Sequence, residues 1–122
     1  MITTDHKPIV LDFEVMHTGN PVFDLAFLCA HLLCKFMRTE NPAAQISLRE
    51  TAKNFLDSYG SNCDIPIAQS LPRHIALIAL ARVEGVSLVN YLDAAGQLRI
   101  TSKTKSIIAN PMATFEELFQ WN

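Results

Sequence analysis

The chain has no excess of basic charge. Its 122 residues carry 10 Lys+Arg against 12 Asp+Glu, a formal net charge of -2, so no basic field is available to hold nucleic acid or an anionic membrane through counterion release. It has only three cysteines. Cys29, Cys34 and Cys63 form no C-x-x-C pair and none lies at zinc-ligand spacing from a histidine, which leaves reduced, buried thiols in a cytosolic protein as their expected state. Long uninterrupted apolar runs are absent too: the longest apolar stretch, Val22 to Met37, contains Asp24, His31 and Lys35 and is too short to cross a bilayer. The opening MITTDHKPIVLDFE has no basic start leading into an apolar segment, so it is not expected to be a secretion signal. No internal repeat and no low-complexity tract occurs. These absences favour a soluble, cytoplasmic protein of one domain spanning residues 1–122, long enough to bury roughly two-thirds of its unfolded surface.

Apolar residue is what the chain does have: 49% of it, against 18% charged, which calls for a large core or an apolar surface that meets a partner. The expected class is α+β and mostly helical, with a short hairpin over residues 1–14 packed on a helical bundle over residues 20–122. Met1-Ile2-Thr3 and Pro8-Ile9-Val10-Leu11 read as two strands around a polar turn at Thr4-Asp5-His6-Lys7, with Pro8 suited to a strand start. Two strands alone are marginal in water and must lean on other structure.

Asn20-Pro21 predicts a helix start, with Asn as cap and Pro in the first turn, for a helix to about Arg38 that is apolar on most sides and therefore central. Asn41-Pro42 reads as a break. Ser47-Leu48-Arg49-Glu50 has capping-box spacing for a second helix to about Tyr59, with Gly60 as its stop. Ile65 to Ser70 suggests one helical turn, Pro72 to Glu84 a third helix ended by Gly85, Ser87 to Tyr91 a short helix, and Ile100 to Ala109 another. Thr114-Phe115-Glu116-Glu117 is a second capping box for a last turn or two.

The chemistry concentrates in Leu11-Asp12-Phe13-Glu14 and Gly19-Asn20-Pro21-Val22-Phe23-Asp24-Leu25-Ala26. Asp12 leaves the end of an apolar strand. It is either a strand-end turn residue or a ligand for a hard cation, since a carboxylate oxygen suits Mg²⁺ that takes its other ligands from water and phosphates. Asp24 sits in the first turn of a helix, where it complements the dipole and must find N–H groups or a cation if buried. His17, in the loop between them, is either solvated or near a phosphate or substrate. His31 reads as a packed core histidine, Arg73 and His74 as surface residues, and Phe115, Phe119 and Trp121 as a cluster packing on the core or on another subunit.

This double block closely resembles the segment that follows the catalytic loop in the aminoglycoside phosphotransferase and choline kinase-like family. A weaker likeness continues through Ala79-Leu80-Ala81-Arg82-Val83-Glu84-Gly85 and Val89-Asn90-Tyr91-Leu92. The resemblance implies the carboxy-terminal lobe of a protein kinase-like fold. It implies Asp12 as the ligand of the Mg²⁺ that bridges the phosphates of ATP, and Asp24 as a buried brace of the catalytic loop. It assigns Glu14 no catalytic role. The family's H-x-D-x-x-x-x-N loop does not occur in these residues: eleven residues precede Asp12, and His6 is followed by Lys7 and Pro8. The expected function is therefore that of a partial ATP-dependent phosphotransferase for a small-molecule hydroxyl, with no catalytic residue of its own and no turnover alone. Its expected partners are a missing amino-terminal lobe or a second copy, and no nucleic acid or membrane. A non-catalytic helical interaction module, forming a homo- or hetero-oligomer, is the alternative.

Overall fold

A computed structural model describes residues 7, 9, 11, 16, 18–64 and 66–121. These form five helices: α1 (Val22–Arg38), α2 (Pro42–Asn62), α3 (Leu71–Glu84), α4 (Ala94–Ala109) and α5 (Phe115–Leu118). The expected α+β class is corrected to all-helical, because no strand occurs among the described residues. Most of the proposed hairpin lies outside the described residues. Its described members, Lys7, Ile9 and Leu11, are in no strand, and Ile9 and Leu11 are 40% and 60% exposed. The alternate side chains of a stable hairpin would be covered, and a two-stranded ribbon without such cover is marginal.

α1 is the centre of the bundle. The Asn20 side chain accepts from the Val22 N–H at 3.0 Å, and the helix then buries nine residues, Ala26, Cys29, Ala30, Leu33 and Cys34 without any exposure. α2, α3 and α4 all pack on it, α3 and α4 also on each other, and α5 closes the end formed by α3 and α4. Ala52 of α2, Ile75, Ala76 and Ala79 of α3, Ile100 and Thr104 of α4 and Leu118 of α5 are fully buried as well. The carboxy-terminal aromatics join the core: Phe119, 1% exposed, meets Phe36 edge-on at 5.5 Å and Phe115 at 4.9 Å.

Several boundaries differ from expectation for local reasons. α2 begins at Pro42 because Asn41 caps it, its side chain accepting from Ala43 N and Ala44 N, so Asn41-Pro42 is a start and not a break. Ser47 is consequently interior, its carbonyl accepting from the Thr51 hydroxyl at 2.7 Å. Gly60 does not stop the helix, which runs on until Ser61 and Asn62 return their side chains to Asp57 O and Ser58 O at 2.8 Å each. In the described part of residues 65–70 the chain makes a turn at Gln69-Ser70, where Leu71 N donates to Ala68 O at 2.9 Å, and it leads directly into α3. Ser87 opens no helix because its carbonyl and hydroxyl both accept from Arg82 Nη1, at 3.1 and 2.7 Å. α4 starts two turns before Ile100, capped by Asp93, whose Oδ1 accepts from Gly96 N at 2.7 Å.

Two glycines sit at close approaches, and at Gly85 the approach excludes any side chain. A side chain at Gly85 would run into the Ala81 carbonyl, to which Gly85 N donates as α3 ends. One at Gly96 would press on Leu92 and Asp93 where the start of α4 meets the end of α1. The capping box of α5 is complete: Glu117 N donates to Thr114 Oγ1 at 3.3 Å and Thr114 N to Glu117 Oε2 at 2.6 Å.

Candidate functional site

Asp12, Glu14 and His17 lie outside the described residues, so of the residues singled out in the double block the structure places Asp24. Asp24 is in the first turn of α1 but is exposed, not buried. It falls about one hundred degrees round the helix from Phe23 and is exposed, so its carboxylate keeps its water and avoids a desolvation cost. There it complements the helix dipole by about 0.3–1 kcal/mol. It accepts no hydrogen bond from any described residue, and a loop to be braced by it would have to come from elsewhere.

Along the same face, one turn at a time, come Phe27 and His31, with ring centroids 5.1 Å apart. The Arg82 guanidinium from α3 lies 4.9 Å over the Phe27 ring, and its Nη1 is fixed by the two bonds to Ser87. Arg82 O in turn accepts from Val89 N at 2.9 Å, so the loop after Gly85 folds back on this arginine. Partial burial, then the charges of Arg82 and Lys35, hold His31 below the ordinary imidazole value of 6.5. His31 is thus a neutral, half-buried ring at pH 7. It is not the enclosed core residue expected from its apolar neighbours.

Behind it Cys29 and Cys34 are wholly buried, and burial pushes their thiols up to about 12 and about 11. Neither can serve as a thiolate nucleophile at neutral pH. None of the three cysteines is in a disulfide. Among the described residues, no group of three or more His, Cys, Asp or Glu side chains converges where a metal ion could be held. These residues do not fit a divalent cation, and Asp12, the expected Mg²⁺ ligand, is not among them.

A second cluster escaped the sequence reading. Arg99 of α4 donates through Nε to Met37 O at 2.9 Å, stacks its guanidinium 4.8 Å over Trp121, and lies 3.9 Å from Glu40. It satisfies a carbonyl at the end of α1 that the helix leaves open. Lys35, Arg38 and Tyr91 line the open groove beside it, with Arg38 5.9 Å over the Tyr91 ring and the Tyr91 hydroxyl buried without a partner. Of the basic residues at the start of α3, Arg73 is exposed, and His74 Nδ1 sits 2.9 Å from Ser70 O.

No family model, curated protein or solved structure matches the chain. No described helix is long and apolar enough to cross a membrane.

Proposed function

We propose that the chain is the carboxy-terminal part of an ATP-dependent phosphotransferase acting on a small-molecule hydroxyl, and that it needs a complementary lobe for turnover. The observation that carries this reading is the double block, Leu11-Asp12-Phe13-Glu14 followed by Gly19-Asn20-Pro21 and Phe23-Asp24-Leu25-Ala26. Its second half opens α1 and leaves the Asp24 carboxylate exposed in the first turn. A carboxylate so placed can accept from the backbone of a loop that a second lobe brings. Phosphoryl transfer rests on positioning and on neutralising phosphate charge, and enzymes lower such barriers by roughly 8 to 23 kcal/mol. The described residues supply neither a convergent metal-ligand set nor an H-x-D loop, so turnover by the chain alone is expected to be absent.

The test is a calorimetric titration of the chain with ATP and Mg²⁺, repeated on Asp12→Asn. Binding that weakens in the variant supports a surviving half-site. Equal binding, or none in either protein, counts against the reading. A phosphotransfer rate that vanishes in Asp12→Asn would disprove the dependence on a second lobe.

A second reading, a non-catalytic interaction module, is favoured by a separate observation. Phe27 and Leu28 on the outer face of the central helix are 36% and 41% exposed beside Asp24. Apolar side chains gathered on one face mark contact surfaces more often than isolated ones do.

A further inference from the structure

On the outer face of α1, four residues follow one another at intervals of four, three and four: Asp24, Leu28, His31 and Lys35. That alternation is the spacing of a helix-to-helix seam. All four lie outside the core. Leu28 is 41% exposed, Asp24 and Lys35 are exposed, His31 is half-buried, and Phe27, 36% exposed, and Leu32 flank the line.

Charge is polarised along this seam. Asp24 is the acid of the first turn, and Lys35 and Arg38 are the bases of the last. A partner helix running parallel would place like charges side by side. An antiparallel copy of the same helix does the reverse: when its Lys35 stands opposite Asp24, its His31 stands opposite Leu28, because both pairs are centred on the same point between Cys29 and Ala30. One register therefore satisfies the ends and the middle together, and the two-fold axis repeats each contact. With His31 neutral at pH 7, Leu28 and His31 bring no charge of their own to the middle of the seam, and the nearby Arg82 guanidinium is held over Phe27 and by Ser87.

We infer that α1 pairs antiparallel with α1 of a second copy of this chain, through Asp24–Lys35 ion pairs at both ends and Leu28 against His31 at the centre. The surface is small and half polar, so the dimer is a weak, concentration-dependent one. The inference stands on α1 alone and does not rest on the phosphotransferase reading. A lobe that used Asp24 would compete for the same face.

Analytical ultracentrifugation of the full chain, from micromolar to submillimolar protein, tests it. The wild type is expected to pass from monomer to dimer over that range, and Leu28→Glu to remain a monomer with unchanged helical circular dichroism. Asp24→Lys and Lys35→Glu are each expected to raise the dissociation constant about tenfold, since each sets like charges together twice. The double variant Asp24→Lys/Lys35→Glu restores opposite charges and is expected to return to within about threefold of wild type, a recovery that a merely unfolded variant could not show. A wild type that stays monomeric throughout would overturn the inference. So would a Leu28→Glu chain that dimerises like wild type, or a double variant no tighter than the singles.

Discussion

The two longest helices, α1 and α2, lie against each other and are held by different means. α1 buries nine of its 17 residues, whereas α2, with 21, buries only Ala52 and Leu56. α1 is helical because the core demands it, and its apolar residues occupy all but one narrow face. α2 touches the core along one edge and depends more on its ends and on local pairs: the Asn41 cap, the Lys53–Asp57 ion pair one turn apart, and the side chains of Ser61 and Asn62 turned back on its last carbonyls. A helix can thus be fixed from outside by packing or from within by its own side chains, and the two cases answer differently to mutation.

Truncation in the core should separate them most. Leu33→Ala, at a site without exposure on α1, is expected to cost about 2–5 kcal/mol in urea unfolding, through lost transfer energy and the cavity it leaves. Ile46→Ala on α2, at a site 47% exposed, should stay within about 0.5 kcal/mol. Equal losses would erase the contrast. The caps sharpen it on a smaller scale. Asn41→Ala should cost about 1 kcal/mol, while Ser47→Ala, inside the helix, should change stability by less than about 0.5 kcal/mol. A larger loss at Ser47 would mean that α2 begins where the capping-box spacing suggested.

The smallest effect is in pH dependence, on the outer face of α1. His31 titrates below 6.5 in the fold, so the unfolded chain takes up this proton first. Its contribution is therefore complete above the ordinary imidazole value and is lost as pH falls through it towards the folded value. Unfolding midpoints measured from neutral to mildly acidic pH should fall for wild type, and His31→Gln should flatten part of that fall. Burial is the main cause of that direction and the charges of Arg82 and Lys35 add to it, so a variant of either cation that leaves the slope unchanged would leave burial as the cause.

Much of the helical layout was legible in the sequence, and the failures are instructive. Asn20-Pro21, Gly85 and the Thr114 box marked real helix ends because each acts through bonds within a few residues. The same Asn-Pro signal at Asn41 was misread as a break only because a competing capping box followed it. Ser47 has the right spacing for a cap, but a cap needs extended backbone, and Asn41 had already committed that stretch to helix. Ser87 failed as a cap because the side chain of Arg82, five residues back at the end of α3, holds both of its oxygens.

Of the candidate site, Asp24 was found by sequence, yet its exposure was not, since an apolar neighbourhood along the chain says little about which way one residue faces. Nothing in residue types could have announced Arg99, whose acceptor Met37 lies 62 residues away. The all-helical class was missed because Pro8-Ile9-Val10-Leu11 has strand-like residues, whereas Ile9 and Leu11 are in no strand and are 40% and 60% exposed.

The seating of Phe119 against Phe36 has a consequence for synthesis. Protein is made from its amino terminus at roughly 5–20 residues per second, so α1 exists on the order of ten seconds before the ring that covers it is joined to the chain. During that interval the central helix of the bundle lacks the ring that packs on Phe36. The nascent chain passes through a stage in which the helix that buries the most residues is open to chaperones and to other unfinished copies, and its covering waits for Phe119 to be added.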